Sequence, residues 1–239
     1  MKNSLEQKEI RRWWNSKRQK RWEKIYKGNT YGALKLNNRM KKILNNVEQI
    51  NKKKVKILEL GFGGGDLAYN LIKKGHEYTG IDISKNLVNA AKKKCKKLKN
   101  KKYKFICGSI DKNLAFQSNH FDIVIVCGVM QYITKPLKTF SEIFRVLKKN
   151  CYFICVQSNF LMLRNFLNFK SFLNRIICLV LDEKYEVSSS FRSLLLETKL
   201  KKFFQGKIKK KIATSKFCNK NYVKVNFTIF LKLIHWILV

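Results

Sequence analysis

Acidic residues are scarce in this chain. Fifteen Asp and Glu face 52 Lys and Arg, for a formal net charge of +37 over 239 residues. Such a chain binds polyanions in low salt whatever else it does. Lysine greatly outnumbers arginine, and asparagine and isoleucine abound. A/T-rich codon usage therefore accounts for the excess as well as selection does. A selected phosphate-binding surface would use more of arginine's fork. Histidine is scarce too: His76, His120 and His235 are scattered and show no zinc spacing, so no metal site is expected. The seven cysteines form no C-x-x-C pair. Cys107, Cys127, Cys151 and Cys155 lie in apolar runs, as small buried hydrophobes of a reducing, cytoplasmic compartment do. No apolar run is long enough to cross a bilayer. The N-terminus carries charge and no apolar core, so no signal peptide is expected. What is present is 45% hydrophobic residues, enough for a real core in one domain with additions.

Glycine is sparse as well, yet four of the 11 fall together. Residues 55–66 read Val-Lys-Ile-Leu-Glu-Leu-Gly-Phe-Gly-Gly-Gly-Asp. An apolar run breaks into glycines and continues as a helical pattern through Leu67, Ala68, Leu71 and Ile72. Strand, glycine turn and helix make the first unit of a nucleotide-binding α/β sheet. Gly61 and Gly63 fit the dinucleotide pattern, but Asp66 stands where that pattern wants a small residue, and Glu59 precedes the turn. Two carboxylates would repel a pyrophosphate. They suit a ligand with an ammonium and a sulfonium, namely S-adenosylmethionine.

On these residues the sequence resembles the class I S-adenosylmethionine-dependent methyltransferases, and is similar to their type 11 group. Their first motif, E-x-G-x-G-x-G, is filled by Glu59, Gly61, Gly63 and Gly65, with Phe62 inside the turn. The resemblance implies a Rossmann-like three-layer α/β/α sandwich. Its seven-stranded sheet would be mostly parallel, with an antiparallel last strand. S-adenosyl-L-methionine would be the cofactor. Two parts are expected: residues 1–50 as a basic helical extension or cofactor lid, and 51–239 as the methyltransferase domain.

In chain order, residues 1–30 are basic and aromatic without Gly or Pro before Gly28, which predicts a helix. Residues 31–44 predict a second helix; the resemblance implies N-terminal helices that cover the cofactor here, with Tyr26, Tyr31 and Arg39 as lid candidates. Residues 45–54 read as a polar linker. Strands are expected at 55–60, 78–83, 103–107, 121–127 and 151–156, alternating with helices, so the sheet is parallel with right-handed crossovers. Gly75 closes the first of these helices, and Ser84 caps the helix at 85–98. Asp82 lies about twenty residues past the first glycine, the spacing at which a carboxylate holds ribose hydroxyls. Ile83 follows it. Ser84 serves as the cap, which leaves Asp82 for the ligand. His76 is read as structural. In the family, the turn after strand three reads the adenine. Its usual acidic residue is Ser109 here, which leaves that contact among Ser109, Ile110 and Asp111. Cys127 and the loop to Tyr132 would lie along the methionine part.

Residues 158–185 form an amphipathic pattern. Met162, Phe166, Phe169, Leu173, Ile176 and Val180 are set against Arg164, Asn168, Arg175 and Asp182. This insertion covers a hydrophobic substrate, lies on a membrane or packs on the core. A helix at 190–204 and strands at 208–214 and 222–231 complete the sheet, and 229–239 adds an apolar end.

Methyl transfer is an in-line displacement that rests on alignment. The sequence assigns no catalytic residue. Tyr132 and His120 are polar candidates, and His120 sits at the wrong end of its strand. There is no N-P-P-Y or D-P-P-Y, and no Pro-Cys nucleophile. What is left is O-, N- or C-methylation of a small-molecule, lipid- or quinone-like, or glycan acceptor. The basic N-terminus keeps an RNA methyltransferase in view, and a peripheral membrane contact is a separate expectation. A non-enzymatic binding module is the third reading, against which the intact motif argues. The oligomeric state is not set by the sequence.

Overall fold

The structure is a computed structural model that describes residues 2–16, 28, 30–50, 54–157, 223–225 and 233–238. Its strands are β1 Lys56–Leu60, β2 Glu77–Asp82, β3 Tyr103–Cys107, β4 Phe121–Cys127, β5 Leu147–Gln157, β6 Val223–Val225 and β7 Leu233–Leu238. The described helices are α1 Lys2–Trp14, α2 Tyr31–Ile50, α3 Asp66–Lys73, α4 Lys85–Cys95 and α5 Pro136–Val146. A 3₁₀ turn spans Met130–Tyr132. One sheet has the order β3-β2-β1-β4-β5-β7-β6. Pairing is parallel from β3 through β5 and on to β7.

Strands covered on both faces read as near-continuous apolar runs. In β4, Ile123 and Ile125 turn to one face and Val124 and Val126 to the other. The first face packs on Leu71 and Ile72 of α3, Val88 and Ala91 of α4, and Ile43 and Val47 of α2. The second packs on Phe140 and Ile143 of α5. Helix, sheet and helix make the three layers of a Rossmann-like fold. The strand order reverses between β1 and β4, and the crevice at such a reversal is where open α/β sheets bind ligands.

Two local outcomes differ from the sequence reading. The antiparallel strand is β6, not the last one: β7 runs parallel to β5, and β6 pairs antiparallel with β7. Only residues 226–232 separate the two, and so short a connection forces neighbouring strands to run in opposite directions. The expected linker at 45–54 is helical up to Ile50. Val47 continues the stripe of Leu36, Met40 and Ile43 at helical spacing, and Asn46 and Val47 are buried. The insertion 158–185, the helix at 190–204 and the strand at 208–214 lie outside the described residues.

The element ends follow local chemistry. α3 stops in a Schellman motif: His76 N–H reaches Leu71 O and Gly75 N–H reaches Ile72 O, with Gly75 at φ 91°, where a Cβ is unfavourable. Ser84 caps α4 by accepting from Leu87 N–H. Pro136 occupies the first turn of α5, where its missing N–H costs nothing. Arg145 of α5 donates to the carbonyls of Leu114 and Phe116, each at 2.7 Å. Its side chain also grips Glu142, and that fixes the loop leading into β4. No described helix is long and apolar enough to cross a membrane.

Candidate functional site

The glycine turn opens the site. Gly61, Gly63 and Gly65 have φ of 77°, 59° and 77°, a region that side chains strongly disfavour. Gly61 N–H donates to Ile81 O at 2.7 Å, tying the turn to the end of β2. A Cβ on Gly61 would stand 2.6 Å from Val129 Cγ2. The turn and the loop after β4 therefore touch backbone to side chain. Gly65 does something else. A Cβ there would stand 2.7 Å from Ala91 Cβ of α4, so this glycine serves helix packing.

Beside the turn lies a cavity of about 410 Å³ at the carboxyl ends of β1 to β4, within the usual range for small-molecule sites. It is lined by Glu59, Gly61, Phe62, Gly63, Asp82 and Ile83, and by Ser109, Ile110, Asp111, Cys127 and Tyr132. Of the residues expected at the cofactor whose side chains are described, only Gly65 is not on its wall. His120, at the opposite end of β4, is not on the wall either.

The acidic groups are not bare. Glu59 is 3% exposed and accepts from Tyr78 Oη at 2.7 Å. Gly80, opposite Glu59 in the pairing of β1 with β2, makes room for this bond. A Cβ there would lie 2.8 Å from the Tyr78 hydroxyl and 2.6 Å from Phe62 Cδ1. Burial pushes Glu59 up to about 7 against the pull of that hydroxyl, and the neighbouring Asp82 and Asp66 add to the rise. Asp82 accepts from Gly63 N–H and from Ser84 N–H, each at 2.9 Å. It is therefore not wholly free for a ligand, as the cap on Ser84 had suggested. It holds the glycine turn and the start of α4 together, with lone pairs to spare. Burial raises it to about 6 although those N–H groups hold it down. Asp111 accepts from Thr134 N–H at 2.9 Å and Thr134 Oγ1 at 2.7 Å, and from Gln7 Nε2. Burial pushes the Cys127 thiol up to about 11, so it stays protonated at neutral pH.

A lid from residues 1–50 was expected, but Arg39 apart, the side chains that form the roof were not. Gln7, Ile10 and Trp14 of α1 and Leu36, Arg39 and Met40 of α2 line the cavity. α1 is docked at its middle and just past its C-terminal end. Gln7 bonds Asp111, and Asn15 Oδ1 accepts from Ser84 Oγ at 2.8 Å. Trp14 meets the ring of Tyr132 edge-on, with centroids 5.6 Å apart. Trp13 lies 4.8 Å from Trp14 and is 40% exposed. Helical spacing says which residues share a face, but not whether that face covers a core or a cavity. Of these residues only Arg39 carried a signal, through the family's N-terminal lid. Tyr26 and the side chain of Tyr31 lie outside the described residues. His76 is structural, as expected: it is buried, and its Nδ1 accepts from Val55 N–H at 3.3 Å.

Comparison with known proteins agrees in kind. The family described as "Methyltransferase domain" matches residues 51–217. A demethylmenaquinone methyltransferase of Lactococcus lactis is 30% identical over 106 residues, 43% of this chain and 42% of that protein. One from Leptospira interrogans is 32% identical over 101 residues, 41% of each chain. The ubiquinone/menaquinone biosynthesis C-methyltransferase UbiE of Wigglesworthia glossinidia brevipalpis is 26% identical over 179 residues, 72% of this chain and 70% of that protein. The chain thus spans less than half the length of the demethylmenaquinone methyltransferases it matches. A family match covering more than half of the sequence settles kinship. This chain belongs to the methyltransferase domain family, whose cofactor is S-adenosylmethionine.

Proposed function

We propose that this protein transfers a methyl group from S-adenosylmethionine to a planar, lipid-soluble acceptor of the phenol or quinol class. The observation that carries the acceptor class is the aromatic mouth: Trp14 and Tyr132 line the cavity, and Trp13 extends their cluster into solvent. Ring edges and faces at an apolar entrance suit a flat aromatic molecule. The relatives named as menaquinone and ubiquinone methyltransferases point the same way.

The cavity fits the cofactor. Glu59, Asp66, Asp82 and Asp111 line it, which favours a cationic ligand over a pyrophosphate. The lone pairs left on Asp82 would take the ribose hydroxyls. Ser109, Ile110 and Asp111 lie beyond it on the β3 side for the adenine, and Cys127 and Tyr132 lie on the β4 side for the methionine end. The bound cofactor supplies an electrophilic methyl group. The chain's own part is alignment and exclusion of water, which lower the barrier of an in-line displacement. Residues 1–50 act as the lid over the domain of residues 51–239, with α1 held by Gln7 and Asn15. The protein works in the cytoplasm, where its +37 charge draws it toward anionic lipid surfaces that hold such acceptors.

The test is titration calorimetry of the full chain with S-adenosylmethionine and S-adenosylhomocysteine. Methyl-labelled cofactor is then incubated with a demethylated quinol in detergent, with a glycan panel and with transfer RNA. Label in the quinol supports the reading. Label in RNA or glycan alone overturns the acceptor class, and no binding by folded protein overturns the cofactor site.

A further inference from the structure

Among the described residues the exposed large hydrophobic side chains are Trp13, Leu34 and Leu137. They stand on α1, α2 and the first turn of α5, and each of these segments borders the cavity. Trp13 adjoins Trp14 of the cavity wall, and its ring lies 6.4 Å from that of Tyr132. Leu137, 48% exposed, follows Tyr132 closely in the chain. Thr134 between them bonds Asp111, which Gln7 of α1 also bonds. Those shared bonds hold the start of α5 beside α1. Leu34 is 58% exposed and stands two residues before Leu36 of the cavity wall. Two residues turn a helix by ~200°, so Leu34 is on the outer side of the roof.

Cations surround these side chains. Lys8, Arg11 and Arg12 of α1 are exposed, as are Lys135 and Lys138 on either side of Leu137. Glu9 is the one acid among the described side chains of α1. Codon usage does not account for this segment. Four of the nine arginines and three of the four tryptophans fall within residues 11–22. A/T-rich codons favour lysine over arginine and deplete tryptophan, whose codon is G-rich, so the segment runs against both tendencies. Tryptophan and arginine serve nucleic acid as well as lipid. The exposed leucines favour lipid, because an aliphatic side chain gains nothing from a phosphate backbone and much from burial among acyl chains. Tryptophan rings settle at the headgroup level, and lysine and arginine add attraction to anionic lipid.

We propose that the outer side of the roof, with Trp13, Leu34 and Leu137 among its exposed cations, docks on an anionic lipid bilayer. Docking sets the mouth of the cavity against the hydrocarbon, so that an apolar acceptor enters without crossing water. That consequence rests on the acceptor reading above, while the docking stands apart from it.

The experiment is flotation of the full chain with phosphatidylcholine vesicles and with vesicles about one-third phosphatidylglycerol, neither holding acceptor, at near-physiological salt. It compares wild type with two variants. Trp13→Ser/Leu137→Ser keeps every charge. Lys92→Gln/Lys93→Gln/Lys96→Gln removes charge at the far end of α4, which begins beside the site at Ser84. Wild type should float with the anionic vesicles and far less with the neutral ones. Burial of a tryptophan and a leucine supports roughly 10- to 100-fold in partitioning, which the apolar variant should lose. The α4 variant should stay within about threefold of wild type, since its charges lie beyond a screening length of the docked face. Brominated acyl chains should quench Trp13, read as the part of wild-type quenching that Trp13→Phe abolishes. Absence of that part in folded wild type overturns the proposal without any unfolding of a variant. Unchanged flotation of the apolar variant also overturns it. So does an equal or larger loss from the α4 variant, which would make binding a matter of net charge. Loss of single-stranded RNA binding in the apolar variant, with vesicle binding intact, overturns it in favour of nucleic acid. Docking on vesicles without methylation of a quinol supports the proposal and overturns the acceptor reading, and so the two failures are distinct.

Discussion

Replacing Glu59 by glutamine removes one proton-binding group from the interior and keeps the side chain's shape. Burial lifts Glu59 from an ordinary 4.5 to about 7. Between those values the folded protein holds a proton that the unfolded chain has released. Stability therefore falls as pH rises through the window, and the loss is complete above pH 7. The gap is about 2.5 pH units, each worth ~1.4 kcal/mol. Ionised Glu59 thus costs the ligand-free fold on the order of 3 kcal/mol at pH 8, and nothing near pH 4. The Tyr78 hydroxyl at 2.7 Å can donate to the amide oxygen of Glu59→Gln as it does to the carboxylate. The variant should match wild type within about 1 kcal/mol at pH 4.5 and exceed it by roughly 2–3 kcal/mol at pH 8. Urea unfolding at constant ionic strength, read by far-UV circular dichroism at half-unit steps from pH 4.5 to 8, measures the gap. The large positive charge and the other titrating groups are common to both proteins and cancel in the difference. A gap that stays constant to about 0.5 kcal/mol across the window would refute the reasoning, because it would mean that Glu59 is solvated in the fold.

Gly61→Ala should destabilise the fold by about 2–4 kcal/mol, from left-handed backbone strain and overlap with Val129. In a double-mutant cycle with Val129→Gly the overlap part should reappear as a coupling of ~1–2 kcal/mol, measured by urea unfolding; strict additivity would sink the contact. Asp82→Ala should weaken S-adenosylmethionine binding by roughly 30- to 1,000-fold with an unchanged circular dichroism spectrum. Calorimetry showing wild-type affinity would remove Asp82 from the ribose site.

The sheet was legible because the apolar runs are short and bounded. The segments around Leu58, Ile81, Phe105 and Val124 alternate with helical periodicity, and that alternation admits few topologies. The left-handed glycines were legible because no other residue type takes that backbone cheaply. What could not be read was the second half of each contact. Gly65 looks like its neighbours in sequence, and only the approach of Ala91 at 2.7 Å turns it from the cavity to α4. Asp82 and Asp111 were placed near the ligand by spacing, yet their bonds to Gly63, Thr134 and Gln7 join segments 19 to 104 residues apart. Which side chains of the expected lid face the cavity was hidden for the same reason, since the faces of α1 and α2 are set by what they cover.

The sequence by itself determined the layered α/β class, the glycine turn and the acidic character of the ligand site. These follow from local backbone preference and from the period of apolar residues. Only the tertiary structure decided that Arg39 lies buried on the cavity wall, that Tyr78 reaches Glu59 across Gly80, and that Trp14 meets Tyr132 at the mouth. Each of these depends on side chains far apart in the chain meeting in a low-dielectric space. Burial and geometry set their energies there, and neither is written in residue order.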